Sequence, residues 1–319
     1  MHEAHFSVDS MMAGSFSRSA IGSSTWPSGP PNPNPTAFAA SPWQPPTSSA
    51  PPSAPEPADF DRFWGHAKAR LARVAMDPIL QKSDQYSTKD ATVYKISLGN
   101  IAGSRLYGWI GIPTREGRFP AILTVPAAGV YATPAGWTDW TRRGFIAMGI
   151  SAHDYDCDMP KETYDQLNAG PLKGYPFQGR QSAQSFYFMR VFLSCVRSID
   201  YLTSRPEWDG ENVVVTGSSQ GGGLSIISAG LDPRVTAIAA NVPALCDHTG
   251  ALVGRQAGWP RLIPSGDELA VQRVTRVSQY FDAVNFARRI KCPTAPAHRP
   301  GSSRPSTRSR DPSRWSSPR

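Results

Sequence analysis

The sequence predicts an α/β protein built on a mostly parallel, doubly wound sheet. Three observations carry this. Short apolar runs are closed by Gly or Pro, and stretches with helical periodicity lie between them. A β-branched run, Asn212–Thr216, passes straight into a glycine-rich turn and a further periodic stretch. Apolar runs bounded by turn residues suit strands buried on both faces, and their alternation with helices argues for parallel pairing. The 319 residues suffice for one large domain of this kind, since a chain of about 300 residues buries roughly 75% of its surface on folding.

The elements follow in order. Phe60, Phe63, Trp64, Ala67, Leu71 and Val74 recur at helical spacing, so Asp59–Ala75 reads as an amphipathic helix capped by Asp59 or Asp61. Thr92–Leu98, Arg105–Ile112, Pro120–Val125 and Gly144–Ile150 read as strands, with a short helix at Trp137–Arg142. Ser182–Thr203 is a long periodic helix. The strand Asn212–Thr216, the helix Gln220–Ala229, the strand Val235–Ala240 and the helix Gln279–Arg289 complete the series.

Composition sets the domain limits. Residues 1–57 hold 12 Pro and 12 Ser with little apolar periodicity, which predicts a disordered leader. The globular part is expected over 58–294, and an Arg/Ser/Pro-rich disordered tail over 295–319. The net charge of +8 suggests an anionic partner until it is located: the last 21 residues carry six Arg and one Asp, so the rest is nearly balanced. Salt-sensitive RNA binding through that tail is the weakest functional class, so no nucleic-acid partner is expected. Cys157, Cys195, Cys246 and Cys292 lie far apart without metal-ligand spacing, and buried free thiols are expected. No run of 18 apolar residues occurs, so no membrane span is predicted. Met1-His2-Glu3-Ala4-His5 lacks the start of a signal peptide, which points to the cytoplasm, with secretion as the alternative.

The chemistry concentrates at Gly217-Ser218-Ser219-Gln220-Gly221. A strand before and a helix after this G-x-S-x-G are the context of a nucleophile elbow. There the serine occupies a strained turn that exposes its hydroxyl, small residues two before and two after it let strand and helix approach, and the helix N-terminus favours a developing oxyanion. Ser219 is then the nucleophile and the Gln220 amide an oxyanion donor. A glycine-rich turn without chemistry is the competing reading. A phosphate loop is disfavoured because no Lys follows in the required register. A second donor is expected from the loop after an earlier strand, here Pro126-Ala-Ala-Gly-Val-Tyr131, with the Val130 amide as the choice.

A serine esterase of this kind needs a histidine base after the serine in the chain. Only His248 and His298 follow Ser219. His248 lies just past a predicted strand, so it reads as a pocket-lining, substrate-binding or structural residue before a base; His298 borders the basic tail. Asp154, Asp156 and Asp158 alternate with His153 and Cys157, where a solvated acidic loop is favoured over a metal site.

With these residues in view, the chain resembles the acetyl xylan esterase / cephalosporin C deacetylase family of α/β-hydrolases, from about Asp59 to Thr294. Asp59-Phe-Asp-Arg-Phe-Trp64, Thr216-Gly-Ser-Ser-Gln-Gly-Gly-Gly223, Ala229-Gly-Leu-Asp-Pro-Arg-Val235, Val242-Pro-Ala-Leu-Cys246 and Tyr280-Phe-Asp-Ala-Val-Asn-Phe-Ala287 carry the likeness. The resemblance implies an α/β-hydrolase fold and removal of acetyl groups from xylan fragments, xylo-oligosaccharides or cephalosporin-like acetates. It also implies no metal or organic cofactor, and a ring-like homo-oligomer.

The chain departs from the family pattern twice. Where the family usually has Arg-Gly-Gln after the strand ending at Ile150, Ser151-Ala-His-Asp-Tyr155 stands here, which implies a divergent subgroup. After Ile290-Lys-Cys-Pro-Thr294 the family continues with a strand, a catalytic Asp in a Gly-Leu-x-Asp-x-x-Cys-Pro-Pro stretch, and a later catalytic His. Here seventeen of the last 21 residues are Ser, Arg or Pro, the composition of a shifted reading frame in a GC-rich gene. The expectation is therefore an incomplete hydrolase domain without the triad Asp and His, and a catalytically inactive fragment is the alternative function.

Overall fold

The computed structural model describes Ser53 and residues 55–296. Most of the expected leader 1–57, and the tail beyond residue 296, lie outside the described residues.

Eight strands form one sheet, in the order β1-β2-β3-β5-β4-β6-β7-β8. They are β1 (Ile79–Lys82), β2 (Ala91–Gly99), β3 (Arg105–Pro113), β4 (Phe119–Thr124), β5 (Ile146–Ile150), β6 (Trp208–Ser218), β7 (Ala237–Asn241) and β8 (Thr294–Pro296). The first three pairings (β1 with β2, β2 with β3, β3 with β5) are antiparallel. The remaining four are parallel and run from β5 through β4, β6 and β7 to β8. The sheet is thus mixed and mostly parallel, an α/β-hydrolase arrangement.

Alternation along β3 shows how both faces are covered. Ile110 and Ile112 point into the main apolar core, which they share with Trp64, Phe192, Leu224 and Phe286 from the helices. Gly111 faces the other way, against the nine-residue 3₁₀-helical stretch Ala135–Arg143. A Cβ on Gly111 would lie 2.4 Å from Thr141 Oγ1, so the close approach needs glycine there.

The helices are α1 (Phe60–Ala72), α2 (Lys161–Ala169), α3 (Tyr187–Ser204), α4 (Gln220–Leu231), α5 (Glu268–Phe281) and α6 (Ala283–Ala287). α1 buries Phe60, Trp64, Ala67 and Leu71, the predicted apolar stripe. α4 is buried almost all round, as the Gly-Gly-Gly-Leu-Ser-Ile-Ile run allows. Arg234 ties the turn after α4 to α3: its guanidinium bonds Asp232 at 2.6 and 2.9 Å and Asp200 at 2.5 Å. Those two carboxylates hold the Arg234 charge well above its usual range.

Three differences from the sequence expectations have local causes. The helix expected over 279–289 is broken at Asp282, which is extended (φ −82°, ψ 122°) and caps α6. Its carboxylate accepts the amides of Asp247 (2.9 Å), His248 (2.8 Å) and Val284 (3.1 Å), a role that a helical backbone at this position would forfeit. The helix expected from 182 begins at Tyr187, because Ser182–Phe186 closes a turn (Phe186 N to Ser182 O, 2.9 Å). β1 and α2 carry little apolar pattern, since β1 is largely exposed and α2 buries Tyr164 alone.

The leader's last residues contact this domain. Glu56 forms a two-point ion pair with Arg289 (2.7 and 2.9 Å), and the Ser53 hydroxyl donates to Asp247 at 2.5 Å and also meets Thr249.

Candidate active site

β6 runs into α4 through Ser219, whose backbone is left-handed (φ 56°, ψ −117°). Such a conformation is strained for a residue with a side chain, and Ser219 is partly exposed there at the N-terminus of α4. Two close approaches enforce the turn. A Cβ on Gly217 would sit 2.6 Å from the Gly221 carbonyl carbon, and one on Gly221 would sit 2.6 Å from Val125 O. The elbow is also braced from the loop after β7: Ser219 N donates to Asn241 O (3.0 Å), and Ala244 N donates to Ser219 O (2.9 Å).

Gln220 follows with its side chain fully buried. Its Nε2 reaches Pro126 O and Ala127 O, both at 3.3 Å, and its Oε1 accepts from the Tyr175 hydroxyl at 2.8 Å. The 126–131 loop thus lies against the start of α4. Gly129 takes φ 127°, and its amide donates to the Tyr175 hydroxyl at 3.2 Å. Val130 follows, half-buried against the main core. Among the described residues, the backbone amides of Val130 and Gln220 donate to no protein acceptor. The structure therefore brings together Ser219, Gln220 and the Val130 loop.

His153, which the sequence offered only as part of an acidic loop, belongs to this cluster. Its Nε2 lies 2.8 Å from Gly129 O, and its Nδ1 lies 2.6 Å from the Tyr187 hydroxyl. A carbonyl only accepts, so Nε2 carries the proton and Nδ1 accepts from Tyr187. Arg190 stacks over the Tyr187 ring at 4.3 Å. Burial, and secondarily the Arg190 charge, push the His153 pKa down to about 4, while its bond to Gly129 opposes the shift. The ring is neutral through the physiological range. A folded pKa below the usual 6.5 means that the unfolded chain takes up this proton first. Stability should then fall as pH drops from about 6.5 to about 4, by up to about 3 kcal/mol at about 1.4 kcal/mol per pH unit. Urea unfolding at pH 7 and pH 4.5 checks this: His153→Gln should lose less stability over the interval than the parent chain.

Two of the acidic loop's three carboxylates have protein partners. Asp154 accepts the Arg105 amide (2.7 Å), and Asp156 pairs with Lys95 (2.9 Å). No group of three His, Cys, Asp or Glu side chains suited to a metal ion occurs among the described residues. The four cysteines are free thiols. No described helix is long and apolar enough to cross a membrane.

His248 is not part of the cluster. Its side chain is 1% exposed, so the expectation of a pocket-lining histidine gives way to a sealed one. Neither ring nitrogen has a hydrogen-bond partner among the described residues, and Nδ1 stays 3.9 Å from Asp282 Oδ2. Burial lowers its pKa against the opposing pull of Asp282 and Asp247. The Asp247 and His248 amides both donate to the Asp282 carboxylate, which ties their backbone to the start of α6.

Tyr175 and Tyr187 escaped the sequence reading. Tyr187 stands in the long periodic helical stretch and Tyr175 in a Gly/Pro-rich one, and nothing in their spacing points to His153 or to a loop 46 residues upstream of Tyr175.

Comparison with known proteins identifies the family. Residues 49–297 match the family model described as acetyl xylan esterase (AXE1). Acetyl esterase Axe7A of Xylanibacter ruminicola is 38% identical over 244 residues, which cover 74% of this chain and 55% of that protein. The chain thus spans about half the length of this curated relative. The acetyl xylan esterase from Paenibacillus sp. R4 superposes with a TM-score of 0.62 at 26% identity, covering 75% of this chain and 78% of that one. Acetyl xylan esterase 1 from Thermoanaerobacterium sp. JW/SL YS485 gives 0.62 at 25% identity, covering 75% and 77%. With a family match over most of its length and an elbow of the expected form, the chain belongs to the acetyl xylan esterase family.

Proposed function

We propose that the chain is a serine esterase that removes acetyl groups from acetylated xylan or xylo-oligosaccharides. The observation that carries this is Ser219 at φ 56° on the junction of β6 and α4, beside two amides without protein partners. In this reading the Ser219 oxygen attacks the acetyl carbonyl carbon, and the carbonyl oxygen becomes an oxyanion held by the Gln220 and Val130 amides. Collapse of that intermediate releases the sugar alcohol and leaves acetyl-Ser219, which water then hydrolyses to acetate. His153 is committed to Gly129 and Tyr187, and His248 is sealed. Neither is therefore free to act as the base that takes the Ser219 proton.

The same reading takes acetylated carbohydrate as the partner, a homo-oligomer as the working form and the cytoplasm as the compartment, with no nucleic acid and no cofactor involved. The test is acetate release from acetylated xylo-oligosaccharides and from p-nitrophenyl acetate by the purified chain. Acetate should appear from both; release from neither overturns the proposal.

A further inference from the structure

The 126–131 loop has no regular secondary structure, yet side chains from three other segments hold it. Gln220 at the start of α4 takes the carbonyls of Pro126 and Ala127. Tyr175, on the short helical turn Tyr175–Phe177, bridges Gln220 Oε1 and the Gly129 amide. His153, from the loop after β5, takes the Gly129 carbonyl and is itself held by Tyr187 of α3. Gly129 is therefore gripped at both its amide and its carbonyl. The next peptide presents the Val130 amide. Every polar atom of the Tyr175 and His153 side chains is committed to this chain of bonds.

One end of the chain is the residue that supplies the first oxyanion amide, and the other end fixes the peptide unit that supplies the second. We propose that Tyr175 and His153 are positioning residues that set the distance between the Gln220 and Val130 amides, and so tune the oxyanion site. This rests on the esterase reading of Ser219.

The physical argument is one of preorganisation. An oxyanion donor is worth most when it is already in place, and losing one costs roughly 10²–10³ in turnover. A misplacement of about 1 Å also costs on the order of 10²-fold. Gly129, with φ 127°, offers little resistance of its own to a peptide rotation that would swing the Val130 amide away. Tyr175 and His153 supply that resistance. The ground-state ester makes weaker demands on these amides than the tetrahedral intermediate, so the effect falls on kcat rather than KM.

The experiment compares steady-state p-nitrophenyl acetate hydrolysis by the full chain and by Ser219→Ala, Tyr175→Phe, His153→Leu, His153→Gln and the Tyr175→Phe/His153→Leu double variant. Folding is followed by circular dichroism. Tyr175→Phe keeps the buried ring and removes only the hydroxyl. Its kcat should fall about 10–100-fold with KM changed less than about twofold. His153→Leu should fall similarly. His153→Gln should recover most of the rate, because its amide can donate to Gly129 O and accept from Tyr187. The double variant should lose less than the product of the single losses, since both residues act through one peptide.

If Ser219→Ala abolishes turnover while folded Tyr175→Phe keeps its kcat, the positioning role is wrong and the esterase reading stands. If kcat of His153→Gln falls as far as that of His153→Leu, the bonded role of His153 is wrong. If the parent chain has no Ser219-dependent turnover, the esterase reading fails and this inference with it.

Discussion

Replacing Ser219 by alanine should reduce p-nitrophenyl acetate hydrolysis to the buffer rate. Removing the nucleophile from complete serine hydrolase machinery costs on the order of 10⁴–10⁶ in turnover. Nothing near Ser219 can replace its oxygen. Ser218 is exposed on the strand side of the turn, and its hydroxyl accepts from Asn241 Nδ2 at 3.1 Å. Alanine keeps the left-handed turn as strained as serine does, so the variant should unfold at the parent's urea concentration. Normal stability with no turnover is the expected pair of results. Turnover within tenfold of the parent would remove Ser219 from the mechanism.

Trp64→Ala should be the most damaging single change in the helical layer. Trp64 is 2% exposed. Its ring lies 5.6 Å from Phe192, 5.3 Å from Phe281 and 5.4 Å from Phe286, so α1, α3, α5 and α6 meet on it. Its Nε1 donates to Tyr280 O at 2.9 Å. Truncating a buried Trp to Ala costs about 3–5 kcal/mol in lost transfer and cavity energy, and the aromatic pairs add about 0.5–1.5 kcal/mol each. At about 2–4 °C per kcal/mol for a domain of this size, the melting temperature should fall by roughly 10 °C or more. Trp64→Phe should recover much of that loss while leaving Tyr280 O without its donor. A melting temperature unchanged in Trp64→Ala would mean that α1 is not docked as described.

The same residues show how much of the fold was legible. Trp64 belongs to a stripe repeating every three to four residues, and burial of that stripe follows from helix geometry alone. The elbow was legible because its constraint is local: Gly217, Ser219 and Gly221 must meet within five residues. Strand order was not, since β5 lies between β3 and β4 and no short-range pattern encodes that inversion. The break at Asp282 was hidden because its carboxylate serves amides 34 and 35 residues away. His153 and Tyr175 were hidden for a related reason. His153 lies among alternating aspartates that read as a solvated loop, Tyr175 lies in a Gly/Pro-rich stretch without apolar periodicity, and the loop they hold is 24 and 46 residues away in sequence.

The Ser53 contact alters where the working part of this chain begins. Ser53 bonds Asp247, which lies three residues past Ala244, whose amide holds the Ser219 carbonyl. A tag fused at residue 58, or a cut just before it, would strip Ser53 from Asp247 and Glu56 from Arg289. The Ser53 tie reaches the segment whose Ala244 amide holds Ser219 in its turn. Expression boundaries drawn at the first predicted helix would therefore remove a contact to the segment that braces Ser219, far away in sequence though close in space.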